Sequence, residues 1–98
     1  MNKPNRLRYG IVGAGAAGLT LAWHLARSGH EVVIYERERG LGGLASDIPF
    51  GNTKIDRFYH HIFNSDTTVQ KFAELTGLTS KLHWCESSVG FEHQGRLY

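Results

Sequence analysis

Tyr9-Gly10-Ile11-Val12-Gly13-Ala14-Gly15-Ala16-Ala17-Gly18, running on into Leu19 to Ser28 and closing with Val32-Val33-Ile34-Tyr35-Glu36, is the stretch that decides the fold. Leu7 to Val12 is short and apolar apart from Arg8, which predicts a buried strand that the glycines end. Leu19, Ala22, Trp23, Leu25 and Ala26 recur at helical spacing, and Gly29 supplies the C-terminal stop. Val32 to Tyr35 are β-branched or aromatic and follow after the very short turn Gly29-His30-Glu31. They predict a second strand parallel to the first, joined by a right-handed crossover.

The glycines between strand and helix are spaced Gly13-x-Gly15-x-x-Gly18. In such a turn the first glycine allows the tight exit from the strand. The second lets a pyrophosphate approach the backbone, and the third lets the helix pack on the strand. The helix start adds free N–H groups and the positive end of its dipole. Alone the pattern is also that of a small-residue packing turn. With a strand before it, a helix after it and Glu36 standing 23 residues beyond Gly13, it points to a dinucleotide. Glu36 can accept hydrogen bonds from both ribose hydroxyls, and its charge disfavours a 2′-phosphate, so FAD or NAD is expected over NADP. Arg37 reads equally as a ligand for such a phosphate or as a solvated surface charge.

Ninety-eight residues allow one small domain. Eleven basic and nine acidic residues in mixed order give a net charge of +2, too balanced for a nucleic-acid groove despite the basic start Lys3, Arg6 and Arg8. The single cysteine, Cys85, excludes an intramolecular disulfide and reads as a packed thiol. No apolar run approaches the roughly 20 residues of a membrane span, and no secretory leader is expected. A cytoplasmic location follows as the expectation.

Beyond Glu36, residues 37 to 52 carry Gly40, Gly42, Gly43, Gly51 and Pro49 without a sustained period and read as a loop. Ser65 or Asp66 can cap a helix over residues 66 to 76, with Val69, Phe72, Ala73 and Leu75 on one side and Gly77-Leu78 as a Schellman-type end. Val89 to Glu92 and Arg96 to Tyr98 flank His93-Gln94-Gly95, a hairpin signal. Two parallel strands and one helix leave the apolar faces of Val32 to Tyr35 only partly covered. The expectation is therefore a partial domain over residues 1–98, the N-terminal portion of a larger protein, able to self-associate through its exposed sheet faces.

After Glu36 come five residues, then Gly42-Gly43, then Leu44-Ala45-Ser46. Here the chain resembles the flavin-dependent amine oxidase, protoporphyrinogen oxidase and carotenoid desaturase superfamily, whose opening runs glycine motif, acidic residue, double glycine. The resemblance implies an α/β, Rossmann-like FAD/NAD(P)-binding three-layer fold with FAD as cofactor. It places the FAD phosphates at Gly13, Gly15, Ala16, Ala17, Gly42 and Gly43, and the ribose at Glu36, with Arg37 beside it; Gly18 joins the candidate cofactor-site residues through its packing of the helix on the strand. Leu44 stands where many members carry arginine, a departure that removes a charged contact.

Asp56-Arg57-Phe58-Tyr59-His60-His61-Ile62-Phe63 is similar to a segment of the same superfamily, UDP-galactopyranose mutases included. By that resemblance His61 lies near the flavin ring; read without it, Tyr59 and His61 would satisfy backbone groups. A metal site is not expected, because adjacent histidines on an extended segment point to opposite faces and neither His83 nor Cys85 has a partner at ligand spacing. The implied activity is hydride transfer from a substrate C–H bond to flavin. The alternatives are a non-redox flavoenzyme of the mutase type or an inactive truncated nucleotide-binding module. No residue is assigned as a catalytic acid or base.

Overall fold

A computed structural model describes residues 5–98; Lys3 of the basic start lies outside them. The described residues divide into two compact units, the first ending at His61 and the second running Ile62–Tyr98.

In the first unit, β1 (Arg8–Val12) and β2 (Glu31–Tyr35) pair in parallel, with Tyr9 opposite Val32 and Ile11 opposite Ile34. Helix α1 (Ala16–Arg27) joins them. This is the β-α-β unit that the apolar periods predict. The helix begins three residues earlier than the Leu19 expected from periodicity, so Gly18 sits inside its first turn. Its end is a Schellman motif: the His30 N–H bonds the Leu25 carbonyl and the Gly29 N–H that of Ala26, with Gly29 at φ 86°.

Burial along β1 alternates instead of staying low throughout: Ile11 is buried and Val12 is 89% exposed. One face of β1 carries Ile11 against α1 at Gly18 and the other is exposed, with the Tyr35 ring beside Gly10, so its residues follow the period of two of a half-covered strand. The strand is thus not buried on both faces as its apolar run suggests. On β2, Val32, Val33 and Ile34 are half-buried, as the thin cover requires. The apolar centre is small residues and Ile11: Ala14 is fully buried and Ala22 nearly so. Trp23 is half-buried, with the Arg27 guanidinium 4.8 Å over its ring, an amphipathic arrangement.

The stretch expected to be loop contains a hairpin. β3 (Asp47–Phe50) and β4 (Thr53–Asp56) pair antiparallel across Gly51-Asn52. Gly51 has φ 59° at the first central position, where a type II′ turn requires it. Pro49 sits in this two-stranded ladder, whose strands both have a free edge, where a missing N–H is tolerated.

The second unit contains α2 (Thr67–Leu75), which ends in the expected Schellman motif at Gly77 and Leu78. Asp66 occupies the cap position, yet its carboxylate accepts the Phe63 N–H at 2.8 Å and leaves the first helical turn uncapped by a side chain. Hairpin β5 (Glu92–His93) and β6 (Arg96–Leu97) turns on Gln94-Gly95, both at positive φ. Phe91 and Tyr98 extend it with a reciprocal backbone pair and stacked rings 5.2 Å apart. Cys85 is exposed, not packed.

Candidate functional site

The site lies at the C-terminal ends of β1 and β2, where three backbone turns meet. The chain leaves β1 through Gly13 at φ 97°, a conformation that L side chains rarely adopt. The Gly13 N–H donates to the Tyr35 carbonyl at 2.7 Å, so the turn begins inside the ladder. Gly15 caps α1 and brings no side chain to the helix N-terminus, and the first turn holds no acidic residue. Gly18 packs hardest: a Cβ there would overlap the Gly13 carbonyl oxygen and lie 3.4 Å from Ile11 Cγ2. Gly13 and Gly18 therefore have the parts their spacing predicts, the tight exit from the strand and the helix–strand contact.

Gly42 and Gly43 fold back onto this turn. The Gly42 N–H donates to the Ala14 carbonyl at 2.9 Å, and Gly15 and Gly42 form an isolated parallel bridge. Gly42 has φ 108° and Gly43 φ 59°; a Cβ on Gly43 would stand 3.1 Å from the Gly15 Cα. The double glycine is thus a backbone-to-backbone contact that a side chain at Gly43 would pry open. Ser46 closes the turn, its N–H and its hydroxyl both donating to the Gly43 carbonyl, the hydroxyl at 2.7 Å. Leu44, inside this single 3-10 turn (Gly43–Ala45), is 70% exposed.

Glu36, the residue after β2, is half-buried. Its Oε2 accepts the Ala14 N–H at 2.7 Å and its Oε1 the Glu38 N–H at 2.8 Å. These backbone donors, Glu38 first and Ala14 second, hold its carboxyl below the usual glutamate range, with partial burial opposing them and the Arg37 charge a smaller aid. Each carboxylate oxygen keeps a second lone pair for a ribose hydroxyl. Arg37 points to solvent and pairs with Glu38 at 3.4 Å.

Of the residues named from the sequence, Gly13, Gly15, Ala16, Ala17, Gly18, Glu36, Arg37, Gly42, Gly43 and Leu44 are gathered around these turns. His61 is not tied to them by any hydrogen bond or ring contact among the described residues; its ring stands edge-on to Tyr59 at 4.4 Å. Both side chains are exposed, so neither satisfies a buried backbone group. Sequence reasoning missed Ala14, whose N–H and carbonyl join Glu36 to Gly42, and Ser46. The signal for Ser46 was a hydroxyl three residues after a glycine turn; for Ala14 there was only its place between two glycines. Among the described residues no three His, Cys, Asp or Glu side chains converge as a metal site would require, and no helix is long and apolar enough to cross a membrane.

Residues 11–75, more than half of the chain, match the NAD(P)-binding Rossmann-like domain. The chain belongs to this family. Its α/β architecture and turn geometry are those of the Rossmann-like fold. Similar stretches occur in a flavin-containing monooxygenase of Arabidopsis thaliana, 59% identical over 34 residues, which are 35% of this chain and 7% of that protein. A D-amino acid dehydrogenase of Phenylobacterium zucineum is 57% identical over 42 residues, 43% of this chain and 9% of that protein. A thiamine thiazole synthase of Pyrobaculum islandicum is 64% identical over 33 residues, 34% of this chain and 13% of that protein. The stretch shared with each of these relatives is therefore a small part of the relative's length.

Proposed function

We propose that this chain is an FAD-binding segment of a flavin-dependent oxidoreductase. The single observation that carries the reading is the docking of Gly42-Gly43 on the Gly13–Gly18 turn with Glu36 bonded into the same junction. An uncapped helix N-terminus, two turns stripped of Cβ atoms and an acidic residue at the end of the second strand fit a diphosphate and its adjoining ribose. The relatives support flavin as the cofactor, since a flavin-containing monooxygenase and a D-amino acid dehydrogenase share this stretch.

In this reading the N-terminal turn of α1 binds the diphosphate through backbone N–H groups and the helix dipole. Gly15 and Gly43 keep the approach open to the backbone. Glu36 orients the adenosine ribose and repels a 2′-phosphate. FAD supplies hydride acceptance from a substrate C–H bond. The chain's own residues hold and orient the adenosine half; the residues that handle substrate belong to other parts of the whole protein. Residues 1–98 form one portion of the FAD-binding domain, whose exposed Val12 and Tyr35 face further strands or helices. The double glycine at its spacing from Glu36 favours the amine oxidase, protoporphyrinogen oxidase and desaturase superfamily as its home.

Calorimetric titration of the chain with FAD, NAD and NADP tests the ligand preference. The expected order is FAD tightest and NADP weakest. Preference for NADP would overturn the role given to Glu36.

A further inference from the structure

Beside the proposed nucleotide site, an open cleft of about 670 Å³ lies between the loop after β2, the double-glycine turn and the start of β3. Three guanidinium-bearing residues line it: Arg37 and Arg39 from the loop and Arg57 from the end of β4. Two acids share the lining, and both are engaged. Glu38 pairs with Arg37 at 3.4 Å, and Asp47 pairs with Lys54 at 3.3 Å. Arg39 and Arg57 form no ion pair among the described residues. The cleft therefore holds two uncompensated positive charges on planar forks that match the oxygens of a phosphate.

The backbone gives this charge a fixed base. The Arg57 N–H donates to the Ser46 carbonyl at 3.0 Å, while Ser46 itself closes the Gly43 turn. Gly43 is also a wall of the cleft, so the arginines flank the residue that rests on Gly15. We propose that the cleft lined by Arg39 and Arg57 is a second phosphate-binding site, separate from the backbone cradle of the glycine turn. Its ligand is a phosphate or diphosphate oxyanion. That group comes either from the nucleotide already placed at the glycine turn or from a separate phosphorylated molecule. The inference deepens the nucleotide-binding reading, and inorganic pyrophosphate tests it apart from that reading.

The experiment follows the arginine Nε–H signals of the ¹⁵N-labelled full chain during titration with inorganic pyrophosphate, alongside the double variant Arg39→Gln and Arg57→Gln. Both side chains are exposed, so the variant is expected to keep the backbone amide spectrum. Should it lose that spectrum, Arg57→Gln alone gives the same readout. Saturable shifts of the Arg39 and Arg57 signals are expected in the wild-type chain; the backbone amides of Gly43 and Ser46, which also line the cleft, report the variant's affinity, expected to be roughly tenfold lower, and both affinities fall with salt. Absence of saturable shifts, or equal affinity in the variant, would overturn the site. Repeating the titration on chain saturated with FAD separates the sources. Competition assigns the cleft to the cofactor's own diphosphate; undiminished pyrophosphate binding assigns it to a separate phosphorylated molecule. If FAD fails to bind while pyrophosphate shifts the arginines, the FAD reading falls and the phosphate site stands.

Discussion

The Glu36 carboxylate accepts the backbone N–H of Ala14 at 2.7 Å, so the end of β2 is tied to the middle of the glycine turn that leaves β1. The residue proposed to receive a ribose therefore also ties down the loop proposed to receive the phosphates. Its second oxygen takes the Glu38 N–H and fixes the start of the following loop.

Replacing Glu36 with Ala removes the carboxylate that accepts both backbone N–H groups, and the proposed ribose contact with it. FAD affinity is expected to fall roughly tenfold or more, because a hydrogen bond to a charged acceptor is lost and the Ala14 N–H is left without its partner. Glu36→Gln keeps the shape and one acceptor oxygen, and is expected to fall between the two. Isothermal titration of the three proteins checks this order; equal affinities would remove Glu36 from the site.

The same contacts set a pH dependence. Glu36 is held below its ordinary carboxyl range by the Glu38 and Ala14 N–H groups, so the unfolded chain takes up its proton at higher pH than the folded one. Its contribution to stability is complete above the unfolded value of about 4 to 5 and is lost as pH falls through the lower folded value. Stability measured by urea melts from pH 6 downward is expected to decline in wild type below about pH 5. The Glu36→Gln variant should show a shallower decline over that window. Superimposable profiles would contradict the assignment.

Two glycines are required for different physical reasons, and alanine separates them. At Gly18 an added Cβ meets the Gly13 carbonyl, and α1 must move off β1; the expected cost is about 1–3 kcal/mol. At Gly29 nothing lies within 4 Å, and the strain comes from φ 86° alone; about 1–2 kcal/mol is expected. Urea melts give both values. Only Gly18→Ala is expected to weaken FAD binding as well, since only that change displaces the phosphate-facing turn.

Gly43→Ala tests the contact between the two turns. The new Cβ would stand 3.1 Å from the Gly15 Cα on backbone at φ 59°. Loss of FAD affinity by roughly tenfold is expected while the helical circular dichroism of α1 persists. Leu44→Ala, at the neighbouring exposed position, is the control and is expected to bind as wild type.

The β-α-β unit was legible because each signal was local and redundant: apolar runs, helical spacing and glycines at the turns all agreed over Tyr9 to Glu36. The two Schellman ends and the Gln94-Gly95 hairpin were legible for the same reason. The β3–β4 hairpin was not, because Pro49 and the surrounding glycines read as loop while the pairing of Ile48 with Ile55 spans the turn. Burial of β1 was misjudged since an apolar run does not say how many of its faces are covered. Of the candidate site, Gly13, Gly15, Gly18 and Glu36 could be named from spacing, and Gly42 and Gly43 from the family resemblance. The Ala14 junction and the arginine cleft could not, because an alanine's backbone bonds and the placing of Arg39 and Arg57 on one cleft are products of the fold.

The central claim is that this chain carries an FAD site. The most direct test is to mix the purified chain with FAD, pass it through gel filtration, and record the visible spectrum of the protein peak. Flavin bands that travel with the chain, and are lost from Gly43→Ala, are the predicted result. A colourless wild-type protein peak, with all flavin eluting as free cofactor, would contradict it.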